Sequence, residues 1–298
     1  MSQTTPSNYG SEEIQDLADL SKSLTFTESL LKFVEDVGRV FTSRMEYVGN
    51  FAVFSWETFV WMFWKPVRRD ALARSFYQIG VLSLPVVMLT GMFIGMVLAV
   101  QSFGQFKAIG MENRLGGAIN LALVRELGPV LAAVMLAGRV GSSIAAEIGT
   151  MRVTEQIDAL TSMGTNPIWY LVVPRFLACI LLIPALTILA DFMGIFGGAY
   201  YCVNILGIER SSYWENSKYF VNNFDILAGI FKSIFFGGAI ALIGCHQGFR
   251  CDAGAVGVGR ASTVAFVSSF VVILFLDLIL GIILERVNQM LGNVPGLT

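Results

Sequence analysis

The chain has 298 residues, of which 55% are hydrophobic and only 14% charged, and its mean hydropathy is +0.66. Soluble domains carry about 25% charged residues, so the composition argues against a soluble enzyme, and a net charge of -2 argues against a nucleic-acid binder, which shows a basic surplus. The single histidine, His246, removes any histidine-cluster metal site. Cys179, Cys202, Cys245 and Cys251 form no CxxC pair and read as free thiols, so neither a metal site nor a catalytic residue is expected.

In chain order, residues 1–27 are polar and acidic and read as a disordered tail without a cleavable leader. Over 28–64, Leu30, Phe33, Val34, Val37, Val40 and Phe41 recur at helical spacing with Lys32, Glu35, Asp36 and Arg39 between them. That pattern predicts an amphipathic helix lying on the membrane surface. Residues 75–106 then contain no Asp, Glu, Lys or Arg, and about 20 apolar residues suffice to cross a bilayer. Five spans follow, near 76–103, 119–148, 172–206, 226–249 and 261–285, giving an all-α polytopic membrane protein. Eight Lys and Arg residues fall in the connections on the N-terminal side against five on the other, which predicts a cytosolic N-terminus and a C-terminus on the outer side.

The second span holds Arg125, Glu126, Arg139 and Glu147, each costing at least about 2.5–3.5 kcal/mol at mid-bilayer unless it faces protein or water. The rise per residue puts Arg125 and Glu126 near the outer headgroups, Arg139 in the inner half and Glu147 near the cytosolic face. A charged cavity for a polar or zwitterionic headgroup is one reading of these residues; snorkelling and structural ion pairs are the other. The same span has small residues at every fourth position, Ala133, Ala137, Gly141, Ala145 and Gly149, a stripe for close helix approach within the chain or in a dimer. Asp191 and Asp277 add intramembrane acids in the third and fifth spans, and one of them is expected to pair with Arg139.

Between the second and third spans, Val153, Ile157 and Leu160 make one apolar face of a helix near 151–164 that is too short to span. Gly164 supplies its stop, with Pro167 beyond. The ridge, flanked by Glu155 and Asp158, suits docking into a partner's groove; a surface turn packed against the chain's own spans is the other reading. The connection GCHQGFRCDAGAVGVGRAST reads as a flexible linker on the cytosolic side.

The run RELGPVLAAVMLAGRVGSSIAAEIGTMRVTEQIDALTSMGTNPIWYLVVPR, with SLPVVMLTGMFIGMVLAVQ before it and GRASTVAFVSSFVVILFLDLIL after it, resembles the MlaE permease family of MCE-associated lipid ABC transporters. The resemblance covers roughly residues 30–285. It implies the membrane subunit of a phospholipid transporter in a bacterial-type inner membrane, paired as a homodimer. Each copy would dock a cytosolic ABC ATPase through a coupling helix carrying Glu155, Ile157, Asp158, Ala159, Leu160 and Gly164. Arg125 and Glu126 would lie on the lipid pathway, with Arg139 lining it further down. A periplasmic MCE-domain protein and a small STAS-domain subunit are the other partners the resemblance implies. No Gly-Lys pair occurs anywhere, so the chain has no P-loop of its own and ATP is expected on the partner. The alternative is an ion-coupled secondary transporter using Asp191, Asp277 and Arg139.

Overall fold

The computed structural model describes residues 45–292, with Glu35, Gly38, Arg39 and residues 41–43 before them. The expected tail and the first turns of the expected surface helix lie outside the described residues. The chain divides into two units, residues 1–56 and 57–298. In the first, residues 45–56 are helical. The second opens with helical residues 57–64 and contains five helices long and apolar enough to cross a membrane: Arg69–Ala108, Glu112–Val153, Ile168–Asn204, Asn223–Phe249 and Gly254–Met290. With no strand among the described residues, the protein is all-α and multi-pass.

The helices outrun the apolar windows because polar residues continue them at the ends. The first span is two helices, Arg69–Ile79 and Leu84–Ala108, joined by a 3-10 turn at Val81–Ser83. Pro85 sits in the first turn of the second piece, where its missing N–H leaves no bond unmade. The glycine-rich connection is a correction to the sequence reading. The fourth span is helical to Phe249 and the fifth begins at Gly254, so Gly244, Gly248, Gly257 and Gly259 all lie inside helices. Two of them serve packing: a Cβ on Gly244 would stand 2.9 Å from the Gly141 carbonyl oxygen, and one on Gly248 2.7 Å from Ile148 Cβ.

Those contacts also answer what the small-residue stripe of the second span faces. Ala133, Ala137 and Ala145 are fully buried, Gly141 lies under Gly244 and Ile240 of the fourth span, and Gly149 lies under Cys251. The stripe is covered within the chain. The first and third spans meet backbone to backbone, since a Cβ on Gly95 would fall 1.9 Å from the Gly194 oxygen and one on Gly91 2.4 Å from the Ala190 oxygen. Spans two, three and four are the most buried and spans one and five the least.

The helix Arg210–Phe220 closes one end of the bundle. Tyr213 is fully buried there. Its hydroxyl donates to Asn120 Oδ1 at 3.2 Å, and Asn120 Nδ2 donates to Ser217 Oγ at 2.8 Å. Burial pushes the Tyr213 phenol up to about 12, so it remains a donor at neutral pH.

Gly95→Val is expected to destabilise the bundle by at least about 1–3 kcal/mol through overpacking. Gly104→Ala, on the same helix but with nothing within 4 Å of the added Cβ, should be neutral or stabilising by up to about 1 kcal/mol. Thermal unfolding of the two variants in detergent checks the difference.

Candidate functional site

The second span is interrupted twice by π-helical turns, Leu123–Leu127 and Ala137–Gly141, a distortion that recurs at functional positions. The first carries Arg125 and Glu126, the second Arg139. Pro129 helps explain the first, because a residue without an N–H cannot bond the carbonyl four positions back, here that of Arg125.

Around the first turn, three spans meet through charge. Lys232 of the fourth span has a side chain only 1% exposed, and its Nζ donates to Glu126 Oε2 at 2.5 Å and to Asp277 Oδ1 of the fifth span at 3.0 Å. Arg125 donates through Nη2 to Glu285, also on the fifth span, and its Nη1 lies 3.9 Å from Asp225 Oδ1. Asp225 is itself fixed by a capping box that starts the fourth span, its Oδ2 accepting from the Asn222 N–H at 3.1 Å. An open pocket of about 520 Å³ borders this network, with Arg125, Glu126, Asp277 and Glu285 on its polar side and Leu278 and Ile282 as an apolar wall. Lys232 sits deep, Arg125 is partly exposed, and the carboxylates of Glu126 and Glu285 are about half exposed. Such a wall beside such a rim can hold an amphiphile with a charged headgroup. Among the described residues, no three metal-ligating side chains gather.

Arg139 stands apart from this network. Fourteen positions further along the span, about 20 Å at helical rise, it donates to Ser83 Oγ at the break of the first span. It lines a different cavity, of about 220 Å³, with Glu147 and Arg175. Those two form an ion pair at 2.9 Å. The expected pairing of Arg139 with an acid is therefore not found: Asp277 takes Lys232, while Asp191 packs against Gly128, where an added Cβ would fall 1.7 Å from its Oδ1. That Asp191 oxygen is buried without a hydrogen-bond partner. Asp191, Asp277 and Arg139 thus have different immediate neighbours.

The short helix is Gln156–Ser162. It is shorter than expected because Met151–Val153 still belong to the second span and Glu155 turns the chain with a left-handed φ of 59°. Gly164, at φ +73°, ends it, with Gly164 N–H bonded to Thr161 O at 2.9 Å and Thr165 N–H to Leu160 O at 3.1 Å. Asp158 is tied to Arg152 at 2.6 Å. The apolar ridge does not face outward. Ile157 is buried and Leu160 half-buried, while Glu155, Ala159 and Met163 are exposed.

Comparison with known proteins decides the family: the model for "Permease MlaE" matches residues 72–283. The chain belongs to the MlaE permease family. It is 41% identical over 245 residues to a "Probable ABC transporter permease protein" of Rickettsia felis, covering 82% of this chain and 95% of that protein. It is 38% identical over 210 residues to the "Intermembrane phospholipid transport system permease protein MlaE" of Haemophilus influenzae, covering 70% and 80%. A chloroplastic protein of Arabidopsis thaliana, TRIGALACTOSYLDIACYLGLYCEROL 1, is 38% identical over 201 residues, 67% of this chain and 57% of that protein. Membership makes the chain a transporter component. The matched stretch includes both π-helical turns, the short helix, Lys232 and Asp277, and ends just before Glu285.

Lys232, Asp225 and Glu285 are the residues of this permease's charged network that sequence reading missed. A signal existed for the first: Lys232 is the single Asp, Glu, Lys or Arg within 226–249, and an intramembrane lysine marks function or a buried pair. Removing a partner from a buried ion pair costs about 3–5 kcal/mol. Lys232→Ala should accordingly lower the permease's unfolding midpoint in detergent much more than Glu126→Gln, which leaves the ammonium bonded to Asp277.

Proposed function

We propose that this permease is the membrane subunit of an ATP-driven phospholipid transporter, and that the pocket at Arg125, Glu126, Lys232 and Asp277 receives the lipid headgroup. The observation that carries the reading is the fully buried Lys232 ammonium clamped between Glu126 and Asp277 behind a pocket with one apolar wall. Charge at this depth is costly, and an amphiphile needs a polar rim beside an apolar surface. The exposed Glu126 and Glu285 carboxylates suit the ammonium of a zwitterionic headgroup. Arg125, and Arg286 on the same lining, suit its phosphate.

In this reading the bundle end bearing Gln156–Ser162 is cytosolic, and the pocket opens toward the outer side. A separate ATPase docks on Gln156–Ser162, two permeases pair, and an MCE-domain protein accepts or delivers lipid outside. The likeness to the Haemophilus influenzae protein, whose name carries intermembrane phospholipid transport, supports the substrate class. The exposed Ala159 and Met163 support a docking face different from the ridge expected from periodicity.

Arg125→Ala strips Glu285 and Asp225 of their cation, and should lower ATP-dependent transfer of phospholipid to an acceptor by about tenfold or more while the assembled complex still purifies. Normal transfer would contradict the headgroup role. Met163→Glu should weaken ATPase co-purification without changing the unfolding midpoint, whereas Ile157→Glu should lower the midpoint first, because Ile157 is buried.

A further inference from the structure

A second polar region lies at the opposite end of the second span from the Lys232 network, and the headgroup pocket proposed there does not include it. Two cavities, of about 220 and 150 Å³, share Ser75, Gln78, Glu147 and Arg175 as common walls and so adjoin. Their linings bring together four arginines, Arg68, Arg74, Arg139 and Arg175, against two acids, Asp70 and Glu147. Glu147 is spent on Arg175. Arg68 lies over the Tyr170 ring at 4.8 Å, Arg139 donates to a neutral serine, and Arg74 makes no ion pair or hydrogen bond among the described residues. The region carries an uncompensated positive charge, reaching from the exposed Arg74 inward to Arg139.

An apolar groove adjoins it. The break in the first span contributes Ile79 and Leu82 to the polar cavity and Gly80 and Val81 to a separate groove of about 340 Å³, whose far wall includes Leu182, Leu186 and Leu189 of the third span. Arg175 and Leu182 are seven positions apart on that span, two turns along the same face and about 10 Å deeper. Basic cavity and apolar groove are thus stacked in the order of a phospholipid's phosphate and acyl chain.

We propose that this region is a second lipid site, holding the phosphate of an anionic phospholipid from the leaflet at the Gln156–Ser162 end, with Arg74 and Arg139 as its phosphate ligands and the Gly80–Leu182 groove receiving an acyl chain. In the orientation argued above, on which the naming of the leaflet rests, this is the cytosolic leaflet. The site is separate from the Lys232 pocket and would hold lipid on the side where the ATPase docks. Charge-assisted contacts from arginine are the strong, phosphate-matched kind, and the surplus cation explains a preference for an anionic over a zwitterionic headgroup.

The test is electron paramagnetic resonance of the full-length chain in phosphatidylcholine nanodiscs containing either spin-labelled phosphatidylglycerol or spin-labelled phosphatidylcholine, read as the fraction of motionally restricted label. The wild type is expected to restrict phosphatidylglycerol preferentially, and Arg74→Gln with Arg139→Gln to reduce that preference by about tenfold. Arg139→Lys should retain part of it. Arg74→Gln alone, at an exposed position, keeps the test valid if the double variant does not fold. An unchanged preference in the Arg74 and Arg139 variants overturns the site. Displacement of the label by inorganic phosphate at matched ionic strength overturns the lipid assignment in favour of a free anion. Loss of the preference in Arg125→Ala instead overturns this proposal while leaving the transport reading intact, whereas normal transfer by Arg125→Ala bears only on the latter.

Discussion

A lysine ammonium held inside a bundle of membrane helices constrains everything around it. Lys232, at 1% exposure, is met by Glu126 and Asp277 from two other spans, and a buried cation with those partners removed would be among the costliest features a membrane chain can carry. The second, fourth and fifth spans must therefore meet at one level. The π-helical turn at Leu123–Leu127 belongs to this arrangement, since it presents Arg125 and Glu126, adjacent in sequence, to different partners. Arg125 reaches Glu285 and Asp225, and Glu126 reaches Lys232. The network is pinned from outside by the Asn222–Asp225 capping box and by the Tyr213–Asn120–Ser217 hydrogen bonds one helical turn and more above it.

Along the second span the molecule carries polar chemistry at two levels with a packed stretch between. Ala133 and Ala137, fully buried, occupy that stretch. The two π-helical turns mark the two levels, and the charge balance differs between them: acids and cations nearly match around Lys232, while arginines prevail around Glu147. An amphiphile passing from one level to the other would meet surfaces of different charge balance.

Much of this was legible in the sequence, and the parts that were not share a cause. Spans could be read because long apolar runs carry few charges, and the short helix because Gly164 supplies a left-handed stop that L side chains rarely adopt. Glu126 and Arg139 stood out as charges in an apolar run, but their partners did not, since Lys232 lies 106 positions from Glu126 and Ser83 lies 56 from Arg139; no local pattern encodes such pairs. The glycines from Gly244 to Gly259 read as a flexible connector because composition cannot tell a glycine that frees the chain from one that lets two helices touch. Ile157 and Leu160 marked an apolar face correctly, yet periodicity alone does not say whether that face meets a partner or the helix's own spans.

The central claim is that the pocket beside Lys232 holds lipid during transport. It is tested most directly by placing a photoreactive side chain at Ile282, on the apolar wall of the pocket, with a second at Phe275, an exposed residue of the same span outside that lining. Crosslinking to phospholipid is then followed in the assembled transporter before and during ATP hydrolysis. The account predicts that capture at Ile282 changes with turnover and falls in Arg125→Ala, while capture at Phe275 does neither. Capture at Ile282 that matches Phe275 under every condition would contradict it, leaving the Lys232 network as structural charge pairing with no part in carrying lipid.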